Sequence, residues 1–129
     1  MIEPIFLTVA EVLEIHSEQL EAYGGIHGLR DQGLLESAVM TPQASFGGEH
    51  LHQNIFEMAA AYAFHIAENQ PFLDGNKRTA LVSALAFLDI NGFVILDPDR
   101  QLYSALIDIA NRNADKYDLA DLLGSLPRE

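Results

Sequence analysis

The sequence predicts an all-α fold, a compact single-domain bundle of about six helices, and three observations carry that expectation. Apolar residues recur at the spacing of one helical face through almost the whole chain. Capping residues and glycine or proline stops cut this pattern into helix-sized pieces. At 129 residues and 49% hydrophobic, the chain can bury roughly two-thirds of its unfolded surface in one core. Residues 1–129 therefore read as one domain that needs neither a disulfide nor a structural metal.

Thr8-Val-Ala-Glu11 has the capping-box spacing, in which a threonine hydroxyl and a glutamate three residues on satisfy free backbone N–H groups reciprocally. Val9, Val12, Leu13, His16, Leu20 and Tyr23 follow at helical spacing until Gly24-Gly25 ends the first helix. Asp31 caps a short second helix bearing Leu34, Leu35, Ala38 and Val39. It stops at Thr41-Pro42, because the residue before a proline is driven out of the α region. Pro42, Gly47 and Gly48 make Thr41 to Gln53 a loop. From Asn54 to about Asn69, Ile55, Met58, Ala59, Tyr62, Ala63 and Ile66 form one stripe with further alanines around it, so this helix is expected at the centre, buried on most sides. A fourth helix runs from about Lys77 to Ile90 on Ala80, Leu81, Ala84, Leu85 and Leu88, and Asn91-Gly92 ends it. Phe93 to Leu96 reads as a short strand or an extended arm. Helices from about Asp99 to Asn111 and Asp115 to Leu123 complete the bundle.

Charge and composition exclude several functions. With 19 Asp plus Glu against 7 Lys plus Arg, the net charge is -12. Such a chain has no basic face to displace counterions from a phosphate backbone, so nucleic acid is a poor partner. The absence of Cys excludes disulfides, thiol catalysis and thiolate metal sites. The N-terminal MIEPIFLTVAEVLEI has acids inside its apolar stretch and no basic start, unlike a signal peptide, and the longest apolar runs are too short to span a bilayer. A soluble cytoplasmic protein is expected. The charge is also uneven: from Met1 to Asn76 eleven acids accompany a single base, Arg30, and then Lys77 and Arg78 arrive together.

Those two bases belong to Gln70-Pro-Phe-Leu-Asp-Gly-Asn-Lys-Arg-Thr79, between the two most apolar helices. Gly75 permits a turn that a side chain would forbid, Asn76 is a good N-cap, and the following helix points its unpaired N–H groups at the loop. The macrodipole makes this end partially positive, so Lys77 and Arg78 in the first turn oppose it by about 0.3–1 kcal/mol each. Helix stability disfavours them there. A bound phosphate chain reverses the sign, since backbone N–H groups, a guanidinium and an ammonium then converge on anionic oxygens. Asp74 can hold a divalent cation such as Mg²⁺ bridging two phosphates. The plainer alternative is an unliganded D-G-N turn in which Asp74 pairs with Lys77 or Arg78, and spacing alone leaves both open.

The string P-F-L-D-G-N-K-R-T between two apolar helices resembles the core of the Fic/Doc superfamily, whose motif runs H-P-F-x-D/E-G-N-K/G-R. It is closer to the Doc, or death-on-curing, branch, because Lys77 stands where Fic adenylyltransferases usually have glycine. The similarity extends to Tyr23-Gly24-Gly25, Gly28-Leu29-Arg30-Asp31, Gly33-Leu34-Leu35-Glu36, Phe46-Gly47-Gly48, Thr79-Ala80-Leu81, Phe87-Leu88 and Asn91-Gly92. The resemblance implies a helical fold with the active-site loop between two central helices. It further implies a toxin of a toxin–antitoxin pair that phosphorylates a threonine of translation elongation factor Tu from ATP. Asp74 then matches the Mg²⁺ ligand, Gly75 and Asn76 the phosphate-binding turn, Arg78 the phosphate clamp, Lys77 the residue associated with the kinase-type nucleotide orientation, and Phe72 the anchor of the loop. Adenylyl transfer of the Fic type and a catalytically silent module that holds nucleotide or antitoxin are the alternatives.

Gln70 departs from the motif, where a histidine acts as general base. A carboxamide can hydrogen-bond a hydroxyl but cannot take its proton near neutral pH. The resemblance therefore implies a chain that binds nucleotide better than it turns it over, whether Gln70 is natural or introduced. His65 does not replace the missing base, because five residues along a helix is about 140° around it. His50 and His52 have a His-x-His spacing but no evident third metal ligand, while His16 and His27 read as ordinary helix-face and turn residues. Arg30 either faces the active-site rim or pairs with Asp31. An inhibitory S/T-x-x-x-E-G/N element is incomplete at Ser45 and Glu49, followed by His50, and at Ser17 and Glu21, followed by Ala22. Inhibition is therefore expected from a separate, Phd-like antitoxin chain.

Overall fold

In the computed structural model, which describes residues 3–129, six helices follow one another in chain order. They are α1 (Val9–Tyr23), α2 (Gln32–Met40), α3 (Ile55–Asn69), α4 (Asn76–Ile90), α5 (Gln101–Ala110) and α6 (Lys116–Ser125). The capping box at Thr8 and Glu11 is formed, and Asp31, Asn54 and Asp115 cap α2, α3 and α6 through side-chain oxygens.

Helix α3 is the centre, packed against α4, α6, α2 and α5. Its run Ala59-Ala-Ala-Tyr-Ala63 is fully buried, and the small side chains let neighbouring helices approach on several sides. The Tyr62 hydroxyl accepts a hydrogen bond from Leu7 N at 2.9 Å, and burial pushes its phenol up to about 12. Asn91, at the end of α4, brackets the N-terminal segment by accepting from Ile5 N and donating to Ile5 O at 2.8 and 2.9 Å.

One segment departs from its expected conformation, and a second takes one of its two expected forms. The expected loop from Thr41 to Gln53 contains a 3-10 turn (Thr41–Gln43) and a minimal hairpin of β1 (Ser45–Phe46) and β2 (Glu49–His50). Gly47 and Gly48, at φ 61° and 83°, supply the two left-handed residues that a tight hairpin turn requires. Residues 93–96 form the extended arm of the two options, pairing with the C-terminal segment through Leu96 N to Pro127 O and Glu129 N to Val94 O. No helix among the described residues is long and apolar enough to cross a membrane.

A polar cluster joins the 41–53 segment to α3 and α6. The Lys116 ammonium donates to Nε2 of both His52 and His65, at 3.0 and 3.3 Å, so both rings must be neutral there. Burial first, and then the Lys116 charge, pushes His52 down and His65 down to about 4. As the pH falls from 6.5 the unfolded chain takes up protons that the folded cluster refuses, so stability falls with pH toward the folded values. Between pH 7 and 5, urea unfolding should show a loss about 1 kcal/mol larger for the parent than for a His65→Phe variant. Equal losses would rule out this coupling.

Candidate active site

The end of α3 is set by Pro71. Gln70 precedes it, cannot continue the helix, and adopts the left-handed conformation at φ 47° and ψ 58°. Arg30 secures this turn. Its Nε donates to Gln70 O at 2.7 Å and a terminal nitrogen to Asn69 O at 2.6 Å, placing a cation on the last carbonyls of α3, where the dipole favours it. Of the two options for Arg30, an ion pair with Asp31 is not formed; the guanidinium holds the backbone of residue 70.

The loop is then fastened on three sides. Segment 28–31 pairs with it like a short strand, with Arg30 N donating to Pro71 O at 2.6 Å and Leu73 N to Gly28 O at 3.0 Å. Phe72 points inward, 2% exposed, and stacks on the His16 ring of α1 with centroids 3.7 Å apart. His16 Nε2 in turn donates to Asp74 O at 2.8 Å. Asn76 closes the third side: its carboxamide accepts from Phe72 N and donates to Phe72 O, both at 3.0 Å. This corrects the expected N-cap. Gly75, at φ 76°, occupies the cap position, and Asn76 is the first helical residue, because its carboxamide, having both donor and acceptor, fits a residue's paired N–H and C=O.

Asp74 is exposed and held open. Its Oδ2 accepts from Ile26 N at 3.1 Å and its Oδ1 from Gly75 N at 2.9 Å. These two backbone donors, with smaller contributions from Arg78 and His16, hold the carboxyl below its ordinary range. The approach requires Gly25: a Cβ there would lie 2.8 Å from Asp74 Oδ2, on backbone at φ 132°. Gly28 lets Leu73 pack in the same way, since its Cβ would meet Leu73 Cδ1 at 2.5 Å. Each carboxylate oxygen keeps lone-pair capacity beyond its one N–H. An ionised, accessible carboxylate beside two cations and an uncapped helix start fits Mg²⁺, which takes one or two carboxylates and completes its shell with phosphate and water. No cluster of three His, Asp or Glu among the described residues offers an all-protein cage.

Gly75 caps α4 without a side-chain hydrogen bond, so its first-turn N–H groups have no side-chain partner. Lys77 and Arg78 are exposed on that turn, and the Arg78 guanidinium lies 4.5 Å from the Tyr23 ring centroid. Gln70, Asp74, Gly75, Asn76, Lys77 and Arg78 all line one open cleft of about 390 Å³, with Glu68 and Tyr103 on its walls. A neighbouring cleft of about 600 Å³ shares Arg78 and Tyr103. Uncapped N–H groups, two cations and an ionised carboxylate in one concavity can bind a metal-complexed polyphosphate.

The other histidines go elsewhere. His65 faces Lys116, outside this cleft. His50 and His52 do not converge: His50 Nε2 meets the Glu3 carboxylate at 2.6 Å, and His52 meets Lys116. His16, read as an ordinary helix-face residue, is the buried support of the loop. Glu68 and Tyr103 had no motif to mark them, and Tyr23 stood in the Tyr23-Gly24-Gly25 resemblance with no site role attached.

The Fic/DOC family model matches residues 6–88 of the chain. The chain is similar to Toxin Doc of Mycolicibacterium smegmatis (strain ATCC 700084 / mc(2)155), with 38% identity over 102 residues, covering 77% of this chain and 78% of that one. It is also similar to Protein kinase doc of Escherichia phage P1, with 34% identity over 116 residues and 90% of each chain covered.

Proposed function

The chain belongs to the Fic/DOC family, and from that premise we propose that it is a Doc-like toxin, a protein kinase that transfers the γ-phosphate of ATP to a threonine of translation elongation factor Tu. The observation that carries this reading is the convergence of Asp74, Lys77, Arg78 and an uncapped helix N-terminus on one cleft. The name of the phage P1 relative, a protein kinase, agrees with it.

In this reading Arg78 leaves the Tyr23 ring to clamp phosphate oxygens, Lys77 adds a second cation, and the amides beginning at Gly75 receive further oxygens. Asn76 contributes by fixing the turn through Phe72. Asp74 is the residue that would hold Mg²⁺, which when bound would neutralise phosphate charge. Gln70 orients the attacking hydroxyl without taking its proton, so turnover is slow. A Phd-like antitoxin restrains the protein in the cell, and cytoplasm is where both its target and its partner reside.

Isothermal titration of Mg²⁺-ATP tests the shared premise. An Arg78→Ala variant should bind about 10–100-fold more weakly, as loss of a charge-assisted hydrogen bond of about 1.5–3 kcal/mol requires. Equal affinities would remove Arg78 from the phosphate site.

A further inference from the structure

A hydroxyl attacking phosphorus must lose its proton, and Gln70 cannot accept it. On the phosphotransfer reading above, on which this step rests, the acceptor has to be found among the other groups facing the same cleft. Asp74 is held ionised by two backbone N–H groups and is committed to the cation. Lys77 and Arg78 are cations, and a phenol such as that of Tyr103 gives a proton more readily than it takes one. His16 already spends its Nε2 proton on the Asp74 carbonyl beneath the loop, and His65 turns away to Lys116.

Glu68 is left. It lies in the last turn of α3, is exposed, lines the cleft beside Gln70, and makes no side-chain hydrogen bond or ion pair among the described residues. On a continuous helix residues 68 and 70 would point about 160° apart. The left-handed turn at Gln70 takes that residue off the helix, and both then border one cavity.

We infer that the Glu68 carboxylate is the proton acceptor of this chain. The substrate oxygen forms a bond to the γ-phosphorus and the bond from that phosphorus to the β,γ-bridging oxygen breaks. The electron pair leaves with ADP, and the hydroxyl proton passes to Glu68 and then to water. Gln70 holds the hydroxyl in line while Glu68 takes the proton.

Four proteins decide the matter: the parent, Glu68→Gln, Gln70→His and the double variant, each assayed for kcat and for KM of ATP in γ-phosphate transfer to elongation factor Tu. Glu68→Gln should lower the parent's kcat about 10–100-fold with KM for ATP little changed, yet alter the Gln70→His protein by less than about threefold, because the imidazole then takes the proton. An unchanged parent kcat, or a parent with no transfer beside an active Gln70→His protein, overturns the assignment. So does an equal loss in both backgrounds, which would make Glu68 a binding or structural residue. Transfer by none of the four would overturn the kinase reading itself, and this proposal with it.

Discussion

Replacing Gln70 with histidine is expected to raise γ-phosphate transfer about 10²–10⁴-fold, the range a positioned general base supplies. The backbone is already suited to the change. Residue 70 sits in the left-handed region, where histidine is several-fold enriched among non-glycine residues, and Arg30 fixes its carbonyl whatever the side chain. The side chain is exposed at the cleft, so the imidazole enters water-accessible space and displaces no packed group. Stability should therefore move by no more than about 0.5 kcal/mol, as for other surface changes. In growing cells the variant should arrest growth, and co-expression of its neighbouring open reading frame should relieve the arrest. A variant that folds, binds Mg²⁺-ATP and transfers no faster than the parent would show that position 70 does not limit the reaction.

Phe72→Ala is expected to cost about 3–5 kcal/mol, a large share of the ~5–15 kcal/mol that holds a domain of this size together. The ring is buried and stacked on His16, which holds the Asp74 carbonyl, while the Asn76 carboxamide holds the backbone of Phe72 itself. Removing it leaves a cavity lined by α1 and the loop, and takes away the surface on which His16 rests. The urea midpoint should fall with little change in slope, and Mg²⁺-ATP affinity should fall with it because Asp74 and the first turn of α4 lose their register. A loss below about 1 kcal/mol would mean that the loop is held by its backbone hydrogen bonds alone.

The helices were legible because their signals are local. Thr8, Asp31, Asn54 and Asp115 act within three residues of where they stand, and the alanine-rich stripe of α3 reports its burial directly. The two-residue strands of the hairpin and the pairing of 94–96 with 127–129 were not legible as such, since each rests on a few hydrogen bonds with no alternating pattern behind them. In the site, the motif marked six of the residues that line the cleft and Phe72 as the loop's anchor, and left the remaining supports unmarked. His16 is 58 positions from Asp74, and a single histidine on an apolar helix face gives no hint of a stacked phenylalanine or a carbonyl partner. Asn76 was assigned the capping role that its residue type favours, and the competing fit of its carboxamide to Phe72 depends on a loop path no spacing rule encodes. Gly24-Gly25 was read as a helix stop, which it is. That Gly25 also admits the Asp74 carboxylate becomes visible only when the two segments meet.

If the 70–79 loop transfers a phosphoryl group, the label that reaches the acceptor comes from the γ-phosphorus. The most direct measurement incubates the Gln70→His protein with elongation factor Tu and ATP labelled at either the γ- or the α-phosphorus, followed by mass spectrometry of the acceptor. Label is expected from the γ-position only, with the mass of one phosphate on a threonine. Label from the α-position with the mass of AMP, or no label from either, would contradict phosphoryl transfer by this loop.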